Sequence, residues 1–141
     1  MKKILLITLL FLLTLSASSF ASDSEWIKVP NADSNFQKDL AWHYSPDHTK
    51  LNPQGRLETW IKSEYIGSES VPGYLAPGDY EIWITFVSPS FDKHYVTTIT
   101  EYKKDGSIKS SRAKQQWMPV VPGSNLEGCL QEAYKYAKER Q

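Results

Sequence analysis

The stretch that decides the fold reads Gln116-Trp117-Met118-Pro119-Val120-Val121-Pro122-Gly123-Ser124-Asn125-Leu126-Glu127. Pro119 and Pro122 have no backbone N–H and bias the residues before them towards extended conformations, so no helix runs through this segment. Ser124 followed by Glu127 forms a capping box, in which the hydroxyl accepts from the N–H of Glu127 and the carboxylate reaches back to Ser124. The pattern therefore predicts a helix that begins directly after Ser124.

Apolar residues beyond this cap recur at helical spacing. They fall at positions i, i+3, i+4, i+7, i+8 and i+11, and are Leu126, Cys129, Leu130, Ala133, Tyr134 and Ala137. This spacing predicts one apolar stripe on a helix of about four turns. Because the chain upstream has the patterns of strands, we expect this helix to cover their sheet.

Period-two alternation before the helix predicts about six strands. They are residues 26–29, 39–44, 56–65, 79–87, 94–102 and 107–112, with the Trp117 segment closing the sheet. Residues 45–55 are predicted as a loop, and Asp105-Gly106 is a tight-turn signal. Short connections favour an antiparallel meander, so the predicted fold class is α+β: an antiparallel β-sheet covered by one C-terminal α-helix.

Two predicted strands have distinct sides. Residues 56–65 place Leu57, Thr59, Ile61 and Ser63 on a mostly apolar side, and Glu58, Trp60, Lys62 and Glu64 on a charged one. Residues 79–87 place Tyr80, Ile82, Ile84 and Phe86 on one side, and Trp83 and Val87 on the other. We interpret Trp60 and Trp83 as lying opposite the main apolar sides, either as exposed anchors for a partner or in a second core layer.

The first 21 residues have the pattern of a bacterial export signal. A basic start, Met1-Lys2-Lys3, precedes an apolar run at residues 4–15, and Ser19-Phe20-Ala21 predicts cleavage after Ala21. The apolar run of about twelve residues is shorter than the roughly 20 of a membrane span. Ser18 stands where a lipoprotein would carry its cysteine, so we expect no lipid anchor.

Residues 22–141 are then predicted to form a single domain of about 120 residues. Loss of two signal lysines leaves 14 basic against 16 acidic residues, a balance that gives no reason to expect nucleic-acid or membrane-surface binding. We expect a periplasmic, secreted or cell-surface protein with no transmembrane segment after signal cleavage. A homodimer is compatible with the sequence.

No arrangement of residues predicts catalysis, a cofactor or a metal site, so we expect no enzyme. His43, His48 and His94 lack a nearby cluster of further ligands, and we interpret them as structural or surface histidines. Cys129 lies in the helical stripe and is interpreted as a small buried hydrophobe, with an intermolecular bridge or a reactive thiol as alternatives. Asp79 alternates with its neighbours as a solvated charge would.

Basic residues gather on the predicted hairpin and its exit: Lys103, Lys104, Lys109, Arg112 and Lys114. One interpretation is a solvated hairpin whose lysines discourage edge pairing. The other is a binding surface for an acidic protein partner.

Several weak motifs follow one another in a characteristic order. They are Trp26, the segment Trp42-His43-Tyr44-Ser45-Pro46-Asp47, a Gly-led strand at residues 55–62 with central Trp60, a Tyr-x-x-Asp-Gly hairpin at residues 102–106, Trp117, and the Pro122-Gly123-Ser124 helix start with Glu127. This ordered set resembles the surface-adhesin protein E domain of Gram-negative bacteria. The resemblance implies a curved antiparallel sheet with the C-terminal helix against its concave side.

The resemblance also implies a function, the binding of host matrix and serum proteins such as vitronectin, laminin and plasminogen, through strands corresponding to residues 80–102. Together with the basic hairpin, this suggests the partner-binding residues Tyr80, Trp83, Tyr95, Tyr102, Lys103, Lys104, Lys109 and Arg112. The residues expected to be structural are Trp26, Trp60, Trp117, Pro122, Gly123, Ser124, Glu127 and Leu130.

The chain departs from that family in two features. The lipidation cysteine is missing, and Cys129 comes about a turn too early for the family's disulfide between helix and sheet. Ala133 lies nearest the expected helix position, and its strand partner would be Phe91 or a neighbour. The alternative hypothesis is therefore a soluble periplasmic, envelope-associated structural protein without a host ligand.

Overall fold

The computed structural model of the protein describes residues 25–30, 38–70, 76–113 and 115–141. The predicted signal peptide, residues 1–21, lies outside the described residues, as does Lys114. The elements are β1 (Ile27–Val29), β2 (Leu40–Tyr44), β3 (Lys50–Leu51), β4 (Leu57–Tyr65), β5 (Tyr80–Val87), β6 (Lys93–Tyr102), β7 (Ile108–Arg112), β8 (Met118–Pro119) and α1 (Asn125–Lys138).

The eight strands form one antiparallel sheet, which confirms the predicted α+β class. Strands β1, β2, β4, β5, β6 and β7 lie side by side in that order, each antiparallel to the next. Two short strands complete the sheet: β3 was not predicted, whereas β8 confirms that the Trp117 segment closes the sheet. β3 turns the predicted loop at residues 45–55 back onto β4, and β8 brings the segment after Trp117 against the start of β6.

The strand register gives the sheet two different faces. Leu57, Thr59, Ile61 and Ser63 of β4 pair with Val87, Thr85, Trp83 and Glu81 of β5; we call this side the helix face. Glu58, Trp60, Lys62 and Glu64 pair with Phe86, Ile84, Ile82 and Tyr80 on the opposite side, the open face. Because paired residues of neighbouring strands share a face, the register assigns the paired residues of β6 and β7 to one face or the other, across a register shift that leaves Thr97 without a partner in β5.

This register corrects one interpretation made from the sequence. Trp60 and Trp83 do not share a position opposite the apolar sides, since Trp83 lies beside Ile61 on the helix face and Trp60 lies on the open face. The apolar side of β5 that begins with Tyr80 is the one that α1 leaves uncovered. Alternation within one strand indicates which residues share a side, but not which side meets the helix.

α1 packs on the helix face over β1, β2, β3 and β4. The predicted helical stripe is confirmed, because Cys129, Leu130, Ala133 and Ala137 are buried there. They meet a set of buried strand residues: Val29, Trp42, Tyr44, Leu57, Ile61 and Val87. Full burial of a side chain such as Leu130 stabilises the fold by about 1.5–3 kcal/mol.

The predicted helix cap forms with one change of partner. Ser124 Oγ accepts from the N–H of Glu127 at 3.1 Å, as expected. The Glu127 carboxylate, however, accepts from the N–H of Gly123 at 2.6 Å rather than from Ser124. The N–H of Ser124 is already engaged with the carbonyl of Val121 at 3.2 Å, so the carboxylate takes the preceding donor.

A non-covalent contact joins the turn before β6 to the helix. The ring of Phe91 meets the ring of Tyr134 edge-on, with centroids 5.6 Å apart. Phe91 has φ of 60°, a left-handed conformation that costs a bulky residue about 1 kcal/mol or more. The ring contact offsets that cost. Phe91 is also the position at which the resemblance would place a disulfide partner for the helix. Cys129 is free and buried, so the contact between Phe91 and Tyr134 is non-covalent.

No helix in the described part of the chain is long and apolar enough to cross a membrane.

We predict that Leu130→Ala lowers the free energy of unfolding by about 2–5 kcal/mol, because it leaves a cavity between α1 and the sheet. Leu130→Asp, which buries a carboxylate there, should undock the helix or unfold the protein. Urea and thermal unfolding followed by circular dichroism would measure both effects. Gln131→Ala, at the exposed next position, is the matched control. An unchanged melting temperature for Leu130→Asp would contradict this packing.

We also predict that Cys129 is unreactive while the protein is folded. Burial, with a smaller contribution from Glu132, raises the pKa of the Cys129 thiol to about 12. The thiolate is the reactive form, so an aromatic disulfide reagent should leave the native protein unlabelled and titrate one thiol in urea. Rapid labelling of the native protein at neutral pH would show that α1 opens readily.

Candidate binding groove

Aromatic and aliphatic side chains, rather than a helix, cover the open face. Two pairs of rings stack across β5 and β6: Tyr80 with Tyr102, centroids 4.7 Å apart, and Phe86 with Tyr95, centroids 5.0 Å apart. Each pair is directly opposite in the register. Such cross-strand aromatic pairs stabilise a sheet by about 0.5–1.5 kcal/mol each.

A groove of about 700 Å³ lies at one end of this face. This volume falls within the range of about 300–1,000 Å³ that is usual for ligand sites. The segment before β1, strands β4 and β5 and the β6–β7 hairpin all contribute to its walls. The lining residues are Trp26, Trp60, Lys62, Glu64, Gly78, Tyr80, Ile82, Tyr102, Lys103, Gly106, Ser107 and Ile108.

Lys62 is the central cation of the groove. Its Nζ lies 5.5 Å from the ring centroid of Trp26 and 5.6 Å from that of Tyr80. It also lies 3.8 Å from a carboxylate oxygen of Glu64. Cation–π attraction therefore links two rings from distant parts of the chain through one ammonium group, while Glu64 supplies the opposite charge.

A buried carboxylate holds the wall formed by the β6–β7 hairpin. Asp79 accepts from the N–H groups of Ala76 and Lys104, each at 2.9 Å, and Lys103 Nζ lies 3.3 Å from it. These contacts tie the chain entering β5 to the hairpin. The two backbone hydrogen bonds, followed by Lys103, lower the pKa of Asp79. Asp79 is only 4% exposed, so its interpretation as a solvated charge is wrong.

The indole of Trp60 is supported by a stacked histidine ring. His48 stacks on it with ring centroids 3.8 Å apart and an interplanar angle of 13°. His48 Nδ1 lies 2.9 Å from the hydroxyl of Ser45, which fixes the imidazole in the short 3-10 turn that precedes β3. These two contacts fix the orientation of the Trp60 ring in the groove.

The other two histidines lie apart from this contact. His43 and His94 are both buried, and burial lowers the pKa of each imidazole. Within the described ranges, no group of three or more His, Cys, Asp or Glu residues is placed to hold a metal ion.

A second aromatic cluster lies at the other end of the open face. Trp117 meets Tyr95 edge-on, with centroids 4.6 Å apart, and the guanidinium of Arg56 lies 5.6 Å from the Trp117 ring. Trp117 is 42% exposed. Trp117, which the sequence predicted to be structural, therefore extends the exposed aromatic surface beyond the groove.

The structure separates the predicted partner-binding residues into groups. Tyr80, Tyr102 and Lys103 line the groove, and Tyr95 lies with the second cluster. Trp83 lies on the helix face, where its ring meets that of Trp42 at 5.6 Å and its indole N–H donates to Glu81 at 3.0 Å.

The remaining basic residues lie on the hairpin. Lys109 pairs with Glu101 and so belongs to the helix face, whereas Arg112 pairs with Thr98 on the open face. Lys104 is exposed at the turn.

Several groove residues are not predicted as binding residues from the sequence: Trp26, Lys62, Ile82 and Ile108. Trp60 is expected to be structural, with an exposed anchor as one of its two interpretations, and its place in the groove fits the anchor. The signal that pointed towards Lys62 was its place on the charged side of β4, next to Trp60.

Comparisons with known proteins identify no function for the groove. No protein-family model, curated protein or solved structure matches the chain. The resemblance to the adhesin E domain stays a prediction from ordered motifs, and the groove has to be interpreted from its own contacts.

We predict that Asp79→Asn loosens the hairpin wall and destabilises the fold in a pH-dependent way. The folded-state pKa of this carboxyl lies below its ordinary value of about 3.9, so its stabilisation is present above that value and is lost as the pH falls through the folded-state pKa. The difference in urea midpoint between the native protein and Asp79→Asn should be largest at neutral pH and shrink as the pH falls below the ordinary carboxyl pKa of about 3.9. Glu69→Gln, at an exposed position, is the control. A difference independent of pH would contradict the role of the charge.

Proposed function

We propose that this protein is an exported, non-catalytic domain that binds a protein partner through the groove on its open face. The observation that carries the proposal is the groove itself, where Trp26, Trp60, Tyr80 and Tyr102 line a volume of about 700 Å³ on the side of the sheet without a helix. Tryptophan and tyrosine are the residues that most often dominate the energy of protein interfaces.

The composition of the face favours a polypeptide over a small ligand. Apolar rings lie beside a charged pair, Lys62 and Glu64, which resembles the apolar centre and polar rim of a protein interface. The aromatic surface also continues past the groove, through Phe86 and Tyr95 to Trp117. A partner protein would contact both parts, since a stable interface covers roughly 800 Å² on each side.

The resemblance of the ordered motifs to the adhesin E domain suggests the class of partner. It supports host matrix and serum proteins as the binding partners, with vitronectin, laminin and plasminogen as the candidates to test. The export pattern of the first 21 residues is consistent with such a partner, because it would bring the domain out of the cytoplasm.

Surface plasmon resonance with the three immobilised proteins tests this function. We predict saturable binding to at least one of them, and a loss of about tenfold or more in affinity for Trp60→Ala and for Tyr102→Ala. Lys135→Ala, at an exposed position of α1, should bind like the native protein. Thermal melts of each variant would separate lost contacts from lost folding. Absence of saturable binding to all three proteins would contradict the adhesin function.

The location of the protein provides a separate test. Cells that express it would be fractionated, and intact cells would be treated with protease. Cleavage on intact cells, or secretion into the medium, supports adhesion. Protection in intact cells, with release by osmotic shock, would contradict adhesion and favour the periplasmic structural protein.

A further inference from the structure

The outer edge of β7 carries backbone groups that no described strand pairs with. β7 is the last strand in the order of the sheet, and all five of its residues are exposed. Residues facing each other across an antiparallel pair alternate between hydrogen-bonded and non-bonded positions. Two flanking bonds, Lys103 N–H to Ser107 O at 2.9 Å and Ala113 N–H to Thr97 O at 3.0 Å, fix the phase of that alternation.

This phase identifies the free backbone groups. Lys109 and Ser111 hold the hydrogen-bonded positions towards β6, opposite Glu101 and Ile99. The N–H and C=O groups of Ile108, Ser110 and Arg112 therefore point away from the sheet. They form a row of alternating donors and acceptors on an exposed edge, the arrangement to which extended peptides add as a further strand.

The edge is positively charged. In the described part of the chain, Lys104, Lys109 and Arg112 make no ion pair. Glu101, the residue opposite Lys109, lies instead 3.7 Å from Lys103. The carboxylate of Asp105 accepts from the backbone N–H and the hydroxyl of Ser107.

We propose that β7 binds an acidic, extended segment of a partner protein as an additional antiparallel strand. This inference rests on the protein-binding function proposed above and gives the chemistry of one part of the partner. Carboxylates of the segment would face Lys109 and Arg112, while its backbone pairs with Ile108, Ser110 and Arg112. A second copy of this chain fits the edge poorly, because self-pairing brings two basic strands together.

The register also specifies the order of residues in the segment. Residues opposite Ile108, Ser110 and Arg112 lie on the open face, and residues opposite Lys109 and Ser111 lie on the helix face. An antiparallel partner that matches each position reads glutamate-threonine-threonine-glutamate-valine. Its valine would meet Ile108, which is 65% exposed and lines the groove, so the added strand continues the surface of the groove.

The probe is a fluorescein-labelled peptide with this five-residue sequence between short threonine flanks, and its binding to the purified protein is followed by fluorescence anisotropy. Ser110→Pro removes the outward N–H but no bond to β6, and proline is tolerated where an edge N–H faces solvent. Ser110→Ala is the matched control, because both variants lose the contact between the Ser110 hydroxyl and Thr100 Oγ1 at 3.1 Å. We predict near-native binding for Ser110→Ala and a loss of about tenfold for Ser110→Pro.

Charge and geometry are tested separately. A peptide with lysines in place of both glutamates should not bind, and Lys109→Glu should weaken binding of the original peptide. Hydrogen exchange should show new protection of the amides of Ile108, Ser110 and Arg112 when the peptide is bound. Equal binding by Ser110→Ala and Ser110→Pro, or binding without that protection, would overturn strand addition and leave a general charge attraction. Dimerisation through β7 in size-exclusion chromatography would also overturn it.

Failure of this inference can be told apart from failure of the proposed function. Trp60→Ala changes the groove and leaves the edge intact, so it should bind the peptide like the native protein. A native protein that binds a matrix protein but not the peptide would overturn strand addition alone. A protein that binds neither would overturn both proposals.

Discussion

The structure has a single α-helix in its described part, and this helix can cover only one of the two faces of the sheet. The rest of the structure depends on that constraint. α1 has 14 residues and is therefore about 21 Å long, and it lies over β1 to β4 on one face only. The opposite face has to be stabilised without a helix. Ring pairs such as Tyr80–Tyr102 supply this stabilisation, because they cover one another across neighbouring strands. The groove thus lies on the face of the sheet that α1 leaves uncovered.

The elements that local patterns encode could be predicted from the sequence. The helix and its stripe follow from a 3.6-residue period and a capping serine, both of which lie within about 14 consecutive residues. The strands of the meander follow from a two-residue period between turn signals. β3 was not predicted, because its two residues pair with β4 only after the 3-10 turn at Pro46–His48 folds the chain back.

The candidate site could be predicted only in part, because it depends on which residues meet across strands. Tyr80, Tyr102 and Lys103 were selected and do line the groove, whereas Trp83 was assigned to binding and lies against Trp42. Alternation gives the sides of one strand, but the register between β4 and β5 decides which side α1 covers. Asp79 shows the same limit, since its hydrogen-bond donor at Lys104 lies 25 residues further along the chain.

The position of α1 in the chain has a consequence for folding order. The helix follows every strand, yet it covers the first four of them, so the contacts that complete the core join residues far apart in sequence. Pairing of β4, β5 and β6 instead joins strands that follow one another in the chain. During synthesis from the N-terminus, the helix face would stay exposed until the last segment emerges. Leu57 and Ile61, which are fully buried once α1 docks, would therefore be the apolar surface exposed until the helix forms.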